Sequence, residues 1–394
     1  MTDLLRAEPK STGPSRRDVL AYAGALGFGA GFGSGPALAT TKDPRLVLVV
    51  LQGGIDGLSA VPPLGDRLLR DARGPLAEEC GQLPLDGFFA LHPSLPTLHA
   101  RFAAGEALVL HAVGTPYRGR SHEDAQAVLA SGDPNIRKSG WLSRAAAIMA
   151  RHQDDCRRPL LAIGRSVLLV LRGPAPAVVC SPEVVKDLGP DDFARIAGRG
   201  DGRPGLVQIA AAGLPGLGSG HSESGGLEQE STAAVGRLLA APAGPRTAVL
   251  QLDGWDTHVS QAGPGGTLAR RLSALDKALA TLCDSLAPVW EDTVVMIVSE
   301  FGRSVGANAT NGTDHGLGTV SCLLGGAVRG GRVLADWPGL APNRLVNGGL
   351  DAILDLRAVF KGVLHDHWRM PPDLLAGEVF PDTGSIRPLL GLVH

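Results

Sequence analysis

The stretch TAVLQLDGWDTH, residues 247–258, joins a mostly apolar run to a polar cluster. Its first six residues have the length of a strand, whereas the last six hold two aspartates, a tryptophan and a histidine. An apolar run without alternation is typical of a strand that is covered on both faces, as in a parallel sheet. In open α/β sheets, ligands bind beyond the carboxyl ends of such strands. The stretch therefore predicts an α/β fold with a ligand site at this strand end.

The same pattern recurs along the chain. Strand-length apolar runs lie at residues 45–52, 107–114, 159–164, 166–171, 293–300 and 320–326. Helical patterns lie between them, at residues 121–131, 139–153 and 268–286. Alternating strands and helices predict an α/β fold with a mostly parallel central sheet and helices on both faces. We expect a single domain over residues 44–394, with a flexible Gly/Ser-rich loop at residues 216–231.

The composition fits a globular protein and excludes two classes of partner. Of 394 residues, 44% are hydrophobic and 19% are charged, and the net charge is −2 without a dense basic run. We therefore expect no binding to nucleic acid or to an anionic membrane surface. The five cysteines form no CxxC pair, which argues against a thiolate zinc site. Export would allow a disulfide, but buried free thiols are the expectation for Cys283 and Cys322, which lie in apolar runs.

Residues 1–39 have the layout of an export signal. Arg16 and Arg17 precede a weakly apolar Gly/Ala-rich run, which ends in the small-x-small cleavage signal ALA at residues 37–39. The arginine pair, with Leu20 behind it, resembles the twin-arginine signal for the export of folded proteins. The run is short and glycine-rich for a membrane-spanning helix, which needs about 20 apolar residues. We expect a periplasmic or extracellular protein with no stable membrane span after signal cleavage.

Polar clusters adjoin five of the strand-like runs. Their candidate site residues are Asp56, Ser121, Asp256, His258, Glu300, Asp314 and His315. The clusters after the first four runs meet at one edge if the sheet is parallel. A reversal of the chain brings the cluster at residues 312–316 to the same edge. The sequence therefore predicts one acidic site that contains two histidines.

Such a site favours a metal ion. Crowded carboxylates repel one another, and a divalent cation removes that repulsion. Mixed histidine and carboxylate ligands suit zinc, manganese or iron better than calcium, and we expect one or two cations, zinc or manganese before calcium. Two cations about 4 Å apart would clamp the attacking and leaving oxygens of a displacement. Trp255 is expected to pack under the turn and to need a partner for its indole N–H.

Each candidate also has a structural alternative. Asp56 could cap a helix or close a turn, and Ser121 could be the N-cap of the helix that follows it. Glu300 could form an ion pair with Arg303. For Asp253, a role in the turn at the strand end is the preferred interpretation.

Five motifs resemble those of one bacterial family. GGIDGLS, RSHEDAQ, GWDTH, SEFGR and GTDHG occur in this order behind the twin-arginine signal. The set is similar to that of the exported "domain of unknown function fifteen-oh-one" family over about residues 45–390. That family is placed in the alkaline phosphatase/sulfatase/phosphoglycerate mutase superfamily. The resemblance implies an alkaline phosphatase-like three-layer α/β/α sandwich around a two-metal site.

The resemblance also implies roles for individual residues. Asp256, His258 and His315 would bind the first metal. Asp56 and Glu300 would bind the second. The chain departs from the superfamily after Glu300, because phenylalanine follows where aspartate and then histidine are usual. The second site is thus one ligand short.

Two functional hypotheses follow, with a third behind them. In the first, an exported metal-dependent hydrolase acts on a phosphate or sulfate ester, a small anionic or sugar-derived substrate. Ser121 attacks, and Arg303 or Arg120 binds the anionic group. In the second, the fold is a metal-binding or carbohydrate-binding protein with little turnover that works with an exported protein partner. The third is a metal-free structural protein.

Overall fold

The computed structural model describes residues 43–77, 81–152, 158–164, 167–198, 206–209, 224–263 and 265–394. They belong to one compact unit, Lys42–His394. The expected signal peptide lies outside the described residues, so that the signal and the domain boundary at residue 44 stay predictions. Within the described ranges, no helix combines the length and the apolar character that crossing a bilayer requires.

The described part of the chain contains twelve strands. They are β1 Arg45–Leu51, β2 Leu83–Pro84, β3 Ala90–Leu91, β4 Ala107–Gly114, β5 Leu160–Ile163, β6 Ala177–Cys180, β7 Leu206–Ile209, β8 Thr247–Leu252, β9 Thr293–Ser299, β10 Thr319–Leu324, β11 Arg332–Leu334 and β12 Leu354–Asp355.

The helices connect or follow these strands. They are α1 Gly57–Ala60, α2 Leu69–Arg73, α3 Pro96–Ala103, α4 His122–Ser131, α5 Trp141–His152, α6 Pro182–Val185, α7 Pro190–Gly198, α8 Ser224–Ala240, α9 Thr267–Leu286, α10 Leu356–Trp368 and α11 Pro372–Leu374.

Ten strands form the central sheet, in the order β11-β4-β10-β9-β1-β8-β5-β6-β7, with β12 paired to β4. Only β10 runs antiparallel to its neighbours, β4 and β9. β1 lies in the middle of the sheet, where Leu48 is paired with Val249 on one side and with Met296 on the other. The prediction of a mostly parallel sheet is confirmed.

Helices cover both faces of this sheet. On β1, Val47, Val49 and Leu51 pack into a core with α3, α8 and α9. Leu46 and Leu48 point to the other face, into a core with α5 and α10. Because successive residues of a strand face opposite sides, a strand covered on both sides must be apolar throughout. The three-layer α/β/α sandwich is thereby confirmed.

The leucine stripe of α9 shows how a covering helix is held. Leu268, Leu272, Leu275, Leu279 and Leu282 are all buried against the first core. Each buried leucine side chain contributes about 1.5–3 kcal/mol of transfer free energy. Cys180, Cys283 and Cys322 are buried free thiols, which confirms the expectation for the last two.

Two expectations for local structure differ from the fold. The apolar run at 166–171 is not a strand in its described part, since residues 169–171 form a 3-10 turn that packs on a face of the sheet. The neighbour of β5 is instead β6. The second half of the expected loop at 216–231 is helical, because α8 begins at Ser224. The first half, 216–223, lies outside the described residues.

Candidate metal centre

Four polar side chains meet at one edge of the sheet. β1, β4, β8 and β9 all end at this edge, whereas β10 begins there because it runs antiparallel. The loops at these strand ends bring together His122, Asp256, His258 and His315, which we call the histidine cluster. Strand direction thus places side by side residues that are up to 193 positions apart in sequence.

His122 enters the cluster from the start of a helix. It is the first residue of α4, and Ser121 is the N-cap, with its Oγ accepting the N–H of Asp124 at 3.3 Å. A cap of this kind satisfies a backbone N–H that has no partner within the helix. It therefore fixes where the helix begins, and with it the direction of the His122 side chain.

Asp256 and His258 lie on the loop after β8. Trp255 lies directly before Asp256 on this loop. It is 2% exposed, and its backbone N–H donates to Gln52 O at 3.1 Å. The close approach needs Gly53, whose φ is +121° and where a Cβ would lie 2.3 Å from the Asp256 nitrogen. Trp255 packs beneath the turn as expected, but its indole N–H has no hydrogen-bond partner among the described residues.

The imidazole nitrogens of the cluster converge on one point. The Nε2 atom of His315 lies 3.0 Å from Nε2 of His122 and 3.0 Å from Nε2 of His258. Asp256 completes the group, with Oδ1 at 3.0 Å from His258 Nε2 and 3.4 Å from His315 Nε2, and Oδ2 at 3.4 Å from His122 Nε2. Three nitrogens and one carboxylate therefore share a space of a few ångströms.

Each histidine of the cluster has an oxygen atom next to its outward-facing nitrogen. Nδ1 of His122 lies 2.9 Å from Glu300 Oε1, and Nδ1 of His315 lies 2.8 Å from the carbonyl oxygen of Arg120. Nδ1 of His258 lies 3.3 Å from Asp314 Oδ1. Since the partners of His122 and His315 are acceptors, these two imidazoles, when neutral, carry the hydrogen on Nδ1 and present an Nε2 lone pair to the centre of the cluster. His258 has a carboxylate oxygen at each ring nitrogen, from Asp314 at Nδ1 and from Asp256 at Nε2.

This donor set fits a divalent cation. Unprotonated nitrogens 3.0 Å apart repel each other unless a positive charge lies between them. Histidines with an outer N–H held by a carboxylate or a carbonyl are the usual arrangement around protein-bound metals. Zinc–nitrogen distances of about 2.0–2.1 Å in a tetrahedron place two nitrogens roughly 3.4 Å apart, close to the spacing here. One ligand atom each from His122, Asp256 and His315 lies within 4.8 Å of the others.

The local electrostatics keep the carboxylate charged. Burial alone would raise the pKa of Asp256, but the hydrogen bond and the charge of Arg303 outweigh burial and lower it. The hydrogen bond to Glu300 raises the pKa of His122, whereas burial lowers the pKa of His315. Neighbouring histidines of the cluster thus differ in basicity, and the anionic Asp256 is retained at neutral pH.

Arg303 lies behind Asp256 and does not face solvent. Its side chain is wholly buried, and its Nη1 donates to Asp256 Oδ1 at 2.5 Å. Its other hydrogen bonds go to the hydroxyl and the carbonyl of Thr313 and to the carbonyl of Gly53. The guanidinium that was expected to bind a substrate anion therefore has its donors directed at the protein. Arg120, the other candidate, is exposed at the rim.

Glu300 also lies behind the cluster. Its Oε1 accepts hydrogen bonds from Gly53 N at 2.8 Å and from Gln126 Nε2 at 3.3 Å, in addition to His122. Its Oε2 accepts the hydroxyl of Ser299 at 3.0 Å. Burial alone would raise the pKa of Glu300, but these hydrogen bonds lower it. The residue expected to bind a second metal is here the acceptor that orients His122.

Asp56 is the centre of a separate buried group, with Ser59, Arg73 and Gln261, which we call the Asp56 cluster. Its Oδ2 accepts from Arg73 and from Gln261 at 2.5 Å each, and from the Ser59 hydroxyl at 3.1 Å. Its Oδ1 caps α1 by accepting two backbone N–H groups. Every oxygen lone pair of Asp56 is therefore occupied by the protein.

The Asp56 cluster supports the loops that carry the histidine cluster. Gln261 Oε1 accepts the hydroxyls of Thr257, at 2.6 Å, and of Thr313, at 2.7 Å. Thr257 lies between Asp256 and His258 in sequence, and Thr313 is two residues before His315. The position of Asp56 at a strand end thus serves the site through hydrogen bonds rather than through direct contact.

The remaining candidates lie at the exposed rim. Asp314 is 61% exposed and contacts His258, and Ser121 is exposed with its hydroxyl used as the cap of α4. Asp253 is exposed at the end of β8. Of the predicted metal ligands, the structure brings together Asp256, His258 and His315, with Asp314 beside them.

His122 was missed by the sequence analysis, although it stands in the motif RSHEDAQ. Ser121 alone explained that motif, either as a nucleophile or as a helix cap, so that no role was assigned to His122 beside it. The signal that could have found it is a histidine at the first position of a helix, directly beyond an apolar strand. Such a position points at the same sheet edge as the other clusters.

Comparison with known proteins gives a family match for part of the chain. The family described as "Protein of unknown function (DUF1501)" matches residues 217–365. The match includes Asp256, His258 and His315 and excludes His122 and Asp56. No curated protein sequence matches the chain.

Solved structures similar to this chain include hydrolases of several kinds. A 2-O GAG sulfatase is 10% identical, with a TM-score of 0.42 over 88% of this chain and 73% of that one. A protein in the alkaline phosphatase superfamily from Vibrio parahaemolyticus is 14% identical, with a TM-score of 0.35 over 76% and 64% of the two chains. The C-terminal periplasmic domain of EcEptC from Escherichia coli, in complex with Zn, is 10% identical, with a TM-score of 0.32 over 72% of each chain. At these identities the likeness does not extend to a substrate.

Proposed function

We propose that this chain binds one divalent cation, zinc or manganese, through His122, Asp256, His258 and His315, and that it hydrolyses a phosphate or sulfate ester. The observation that carries the proposal is the convergence of three imidazole Nε2 atoms and one carboxylate, each side chain held from behind. Glu300 and Arg303 act as the supporting residues of this site. The proposal includes export by the twin-arginine route and a small anionic or sugar-derived substrate.

The residues of the site divide the work of binding and chemistry. A bound divalent cation supplies Lewis acidity, which stabilises negative charge on an ester oxygen and lowers the pKa of water or of a hydroxyl. Asp256 and His258 are 41% and 40% exposed, so a substrate can approach the cluster from solvent. The N-terminus of α4 favours an anionic group at this rim, where Arg120 is exposed. Ser121, one residue before His122, is the candidate nucleophile.

The test uses purified full-length chain loaded with Zn²⁺ or Mn²⁺ and assayed with aryl phosphates, aryl sulfates and phosphodiesters. His258→Ala should abolish turnover, whereas His394→Ala, which removes an exposed histidine at the C-terminus, should not change it. Equal turnover in the two variants, or none with any substrate in a metal-loaded protein, would contradict the proposal.

The nucleophile is tested separately at Ser121, because alanine there removes the hydroxyl and the helix cap together. Ser121→Asn keeps a good N-cap without a hydroxyl, and Ser121→Thr keeps both. We expect Ser121→Thr to retain turnover and Ser121→Asn to lose it. Full turnover in Ser121→Asn would assign the attack to water and remove Ser121 from the mechanism.

A second function is favoured by one observation. Asp56 and Glu300, the residues expected to hold a second metal, have their oxygens occupied by hydrogen bonds from the protein. A one-metal centre without turnover would make the chain a metal-binding or carbohydrate-binding protein that acts with an exported partner. One tightly bound metal per chain, with no hydrolysis of any ester tested, would support this function over the first.

A further inference from the structure

A cavity of about 400 Å³ lies on the second face of the sheet, beside the metal centre. It is formed between α4, the segment at residues 167–172 and the carboxyl ends of β1, β8 and β9. Its volume falls in the range of about 300–1,000 Å³ that is typical of small-molecule sites. The cavity therefore has room for a compact organic molecule.

The cavity has an apolar floor and a neutral polar end. Val50, Ala130, Val167 and Leu168, all half-buried, form part of this floor. Trp141 and Phe360 lie beneath them, each 1% exposed, and their rings are stacked with centroids 4.7 Å apart. Such close packing holds the floor in place.

The polar end is made of three glutamines: Gln52, Gln126 and Gln251. Gln52 Nε2 donates to Gln126 Oε1 at 3.1 Å, and Gln126 Nε2 donates to Glu300 Oε1 at 3.3 Å. Among the described residues, the Gln251 side-chain amide has no hydrogen-bond partner, and neither does the side-chain oxygen Oε1 of Gln52. An amide at an apolar wall gains stability from a partner, which here would come from whatever fills the cavity.

The charge of the lining limits the chemistry of the occupant. Among the described residues, only Glu123 and Arg172 bring charge to the lining of the cavity, and their charges are opposite. Neither a cation nor an anion is favoured by this pair. Glutamine amides, in contrast, both donate to and accept from hydroxyl groups.

We infer that this cavity is a binding site for an uncharged molecule with an apolar ring and a hydroxyl group. The ring lies against the half-buried side chains of Val50 and Leu168, and the hydroxyl group bonds to Gln251 and Gln52. Binding in this cavity does not require hydrolysis at the histidine cluster, because none of the four metal-binding candidates lines the cavity.

The experiment measures the binding of 1-naphthol and of naphthalene to the full chain by fluorescence titration, with metal removed by a chelator. We expect saturable binding of one 1-naphthol per chain. Ala130→Leu fills part of the cavity from α4 and should weaken binding about tenfold or more, because even one extra methylene group in an apolar pocket has an effect of about that size. The matched control Ala100→Leu, at an exposed position of α3 on the other side of the sheet, should leave binding unchanged.

A second variant tests the polar end. Gln251→Met keeps the length of the side chain and removes the amide. It should weaken 1-naphthol binding about tenfold and change naphthalene binding by less than about twofold. Thermal unfolding identifies any variant that does not fold, and Ala127→Leu replaces Ala130→Leu in that case. Absence of saturable binding, or equal affinities in the filled variant and the control, would overturn the inference whether or not the protein hydrolyses esters.

Discussion

The histidine cluster and the Asp56 cluster lie close to the same sheet edge but differ in what their polar atoms do. In the Asp56 cluster, Arg73, Gln261 and Ser59 occupy every oxygen lone pair that the backbone leaves free. In the histidine cluster, three imidazoles are held from outside at Nδ1, and their Nε2 atoms converge. The protein satisfies both oxygens of Asp56, whereas Asp256 has Arg303 at Oδ1 and no hydrogen-bond donor at Oδ2 among the described residues. The comparison teaches that an aspartate at a strand end is a candidate metal ligand only if the protein leaves one of its oxygens unpaired.

The largest effect on stability is expected from Asp56→Asn, which disrupts the Asp56 cluster. The change leaves the Arg73 guanidinium buried without a counter-charge, and both side chains are only 1% exposed. Breaking a buried pair by removing one partner costs about 3–5 kcal/mol. Chemical denaturation should show this loss in the free energy of unfolding. The control Asp253→Asn, at an exposed strand end, should change it by less than about 0.5 kcal/mol.

The pH dependence of the same pair has a definite sign. Burial alone would raise the pKa of Asp56, but the charge and hydrogen bond of Arg73 outweigh burial and lower it. Because the folded-state pKa lies below the unfolded value, the stabilisation is present above the ordinary aspartate range. It is lost as the pH falls through the folded value. Equal unfolding free energies in Asp56→Asn and the native chain at neutral pH would remove the distinction between the two clusters.

The next largest effect concerns His111, which contrasts with the histidine cluster because both of its ring nitrogens have hydrogen-bond partners in the protein. It is wholly buried, its Nε2–H donates to Val61 O at 3.0 Å and its Nδ1 accepts from Ala112 N at 2.8 Å. Burial lowers its pKa from 6.5 to about 4. Between pH 6.5 and about pH 4, the unfolded chain thus binds more protons than the folded chain. The free energy of unfolding should therefore fall by about 3 kcal/mol as the pH drops through this range. His111→Gln should flatten this part of the curve in urea unfolding; an unchanged slope would contradict the assignment.

A smaller effect, on metal affinity, is expected from Glu300→Gln, which changes the residue that orients His122 in the histidine cluster. The amide is a weaker acceptor for the Nδ1–H of His122 than the carboxylate, so His122 is less basic and less well oriented. Loss of such an outer partner lowers metal affinity about 10–100-fold. Competition with a fluorescent chelator measures the change. Glu378→Gln, an exposed control, should bind metal as the native chain does; an equal affinity in Glu300→Gln would mean that Glu300 does not support the cluster.

The smallest effect is expected in Ser121→Ala, through the helix cap alone. Loss of the cap should lower the unfolding free energy by about 1 kcal/mol, and Ser121→Asn should restore most of it. Thermal denaturation of the two variants in the absence of metal separates this contribution from any catalytic one. Identical melting of both variants and the native chain would show that Ser121 does not determine where α4 begins.

The sheet and its edge could be predicted from sequence, because continuous apolar runs report burial on both faces. The ends of β1, β4, β8 and β9 lie within one residue of the predicted run ends. The strand predicted at 166–171 failed because an apolar run on a sheet face has the same composition as a strand within the sheet.

The membership of the histidine cluster could be predicted only in part. Asp256, His258 and His315 follow from their place at the edge, whereas the state of Asp56 depends on Arg73 and Gln261, which no local pattern links to it. Gln261 is 205 positions away in sequence. His122 was overlooked because Ser121 already explained its motif, and the direction of the His122 side chain depends on where α4 begins. The sequence pattern thus predicts the edge of the sheet, whereas the hydrogen bonds of the folded chain distinguish the residues there that could bind a cation from those whose polar atoms are already paired.

The most direct test is the metal content of the full-length chain purified without chelator or affinity-metal resin. Elemental analysis should find one zinc or manganese ion per chain in the native protein and in His394→Ala, and should find that ion lost from His315→Ala. A native chain without metal that also shows no thermal shift with Zn²⁺ or Mn²⁺, or a His315→Ala variant with its metal intact, would contradict the proposed centre.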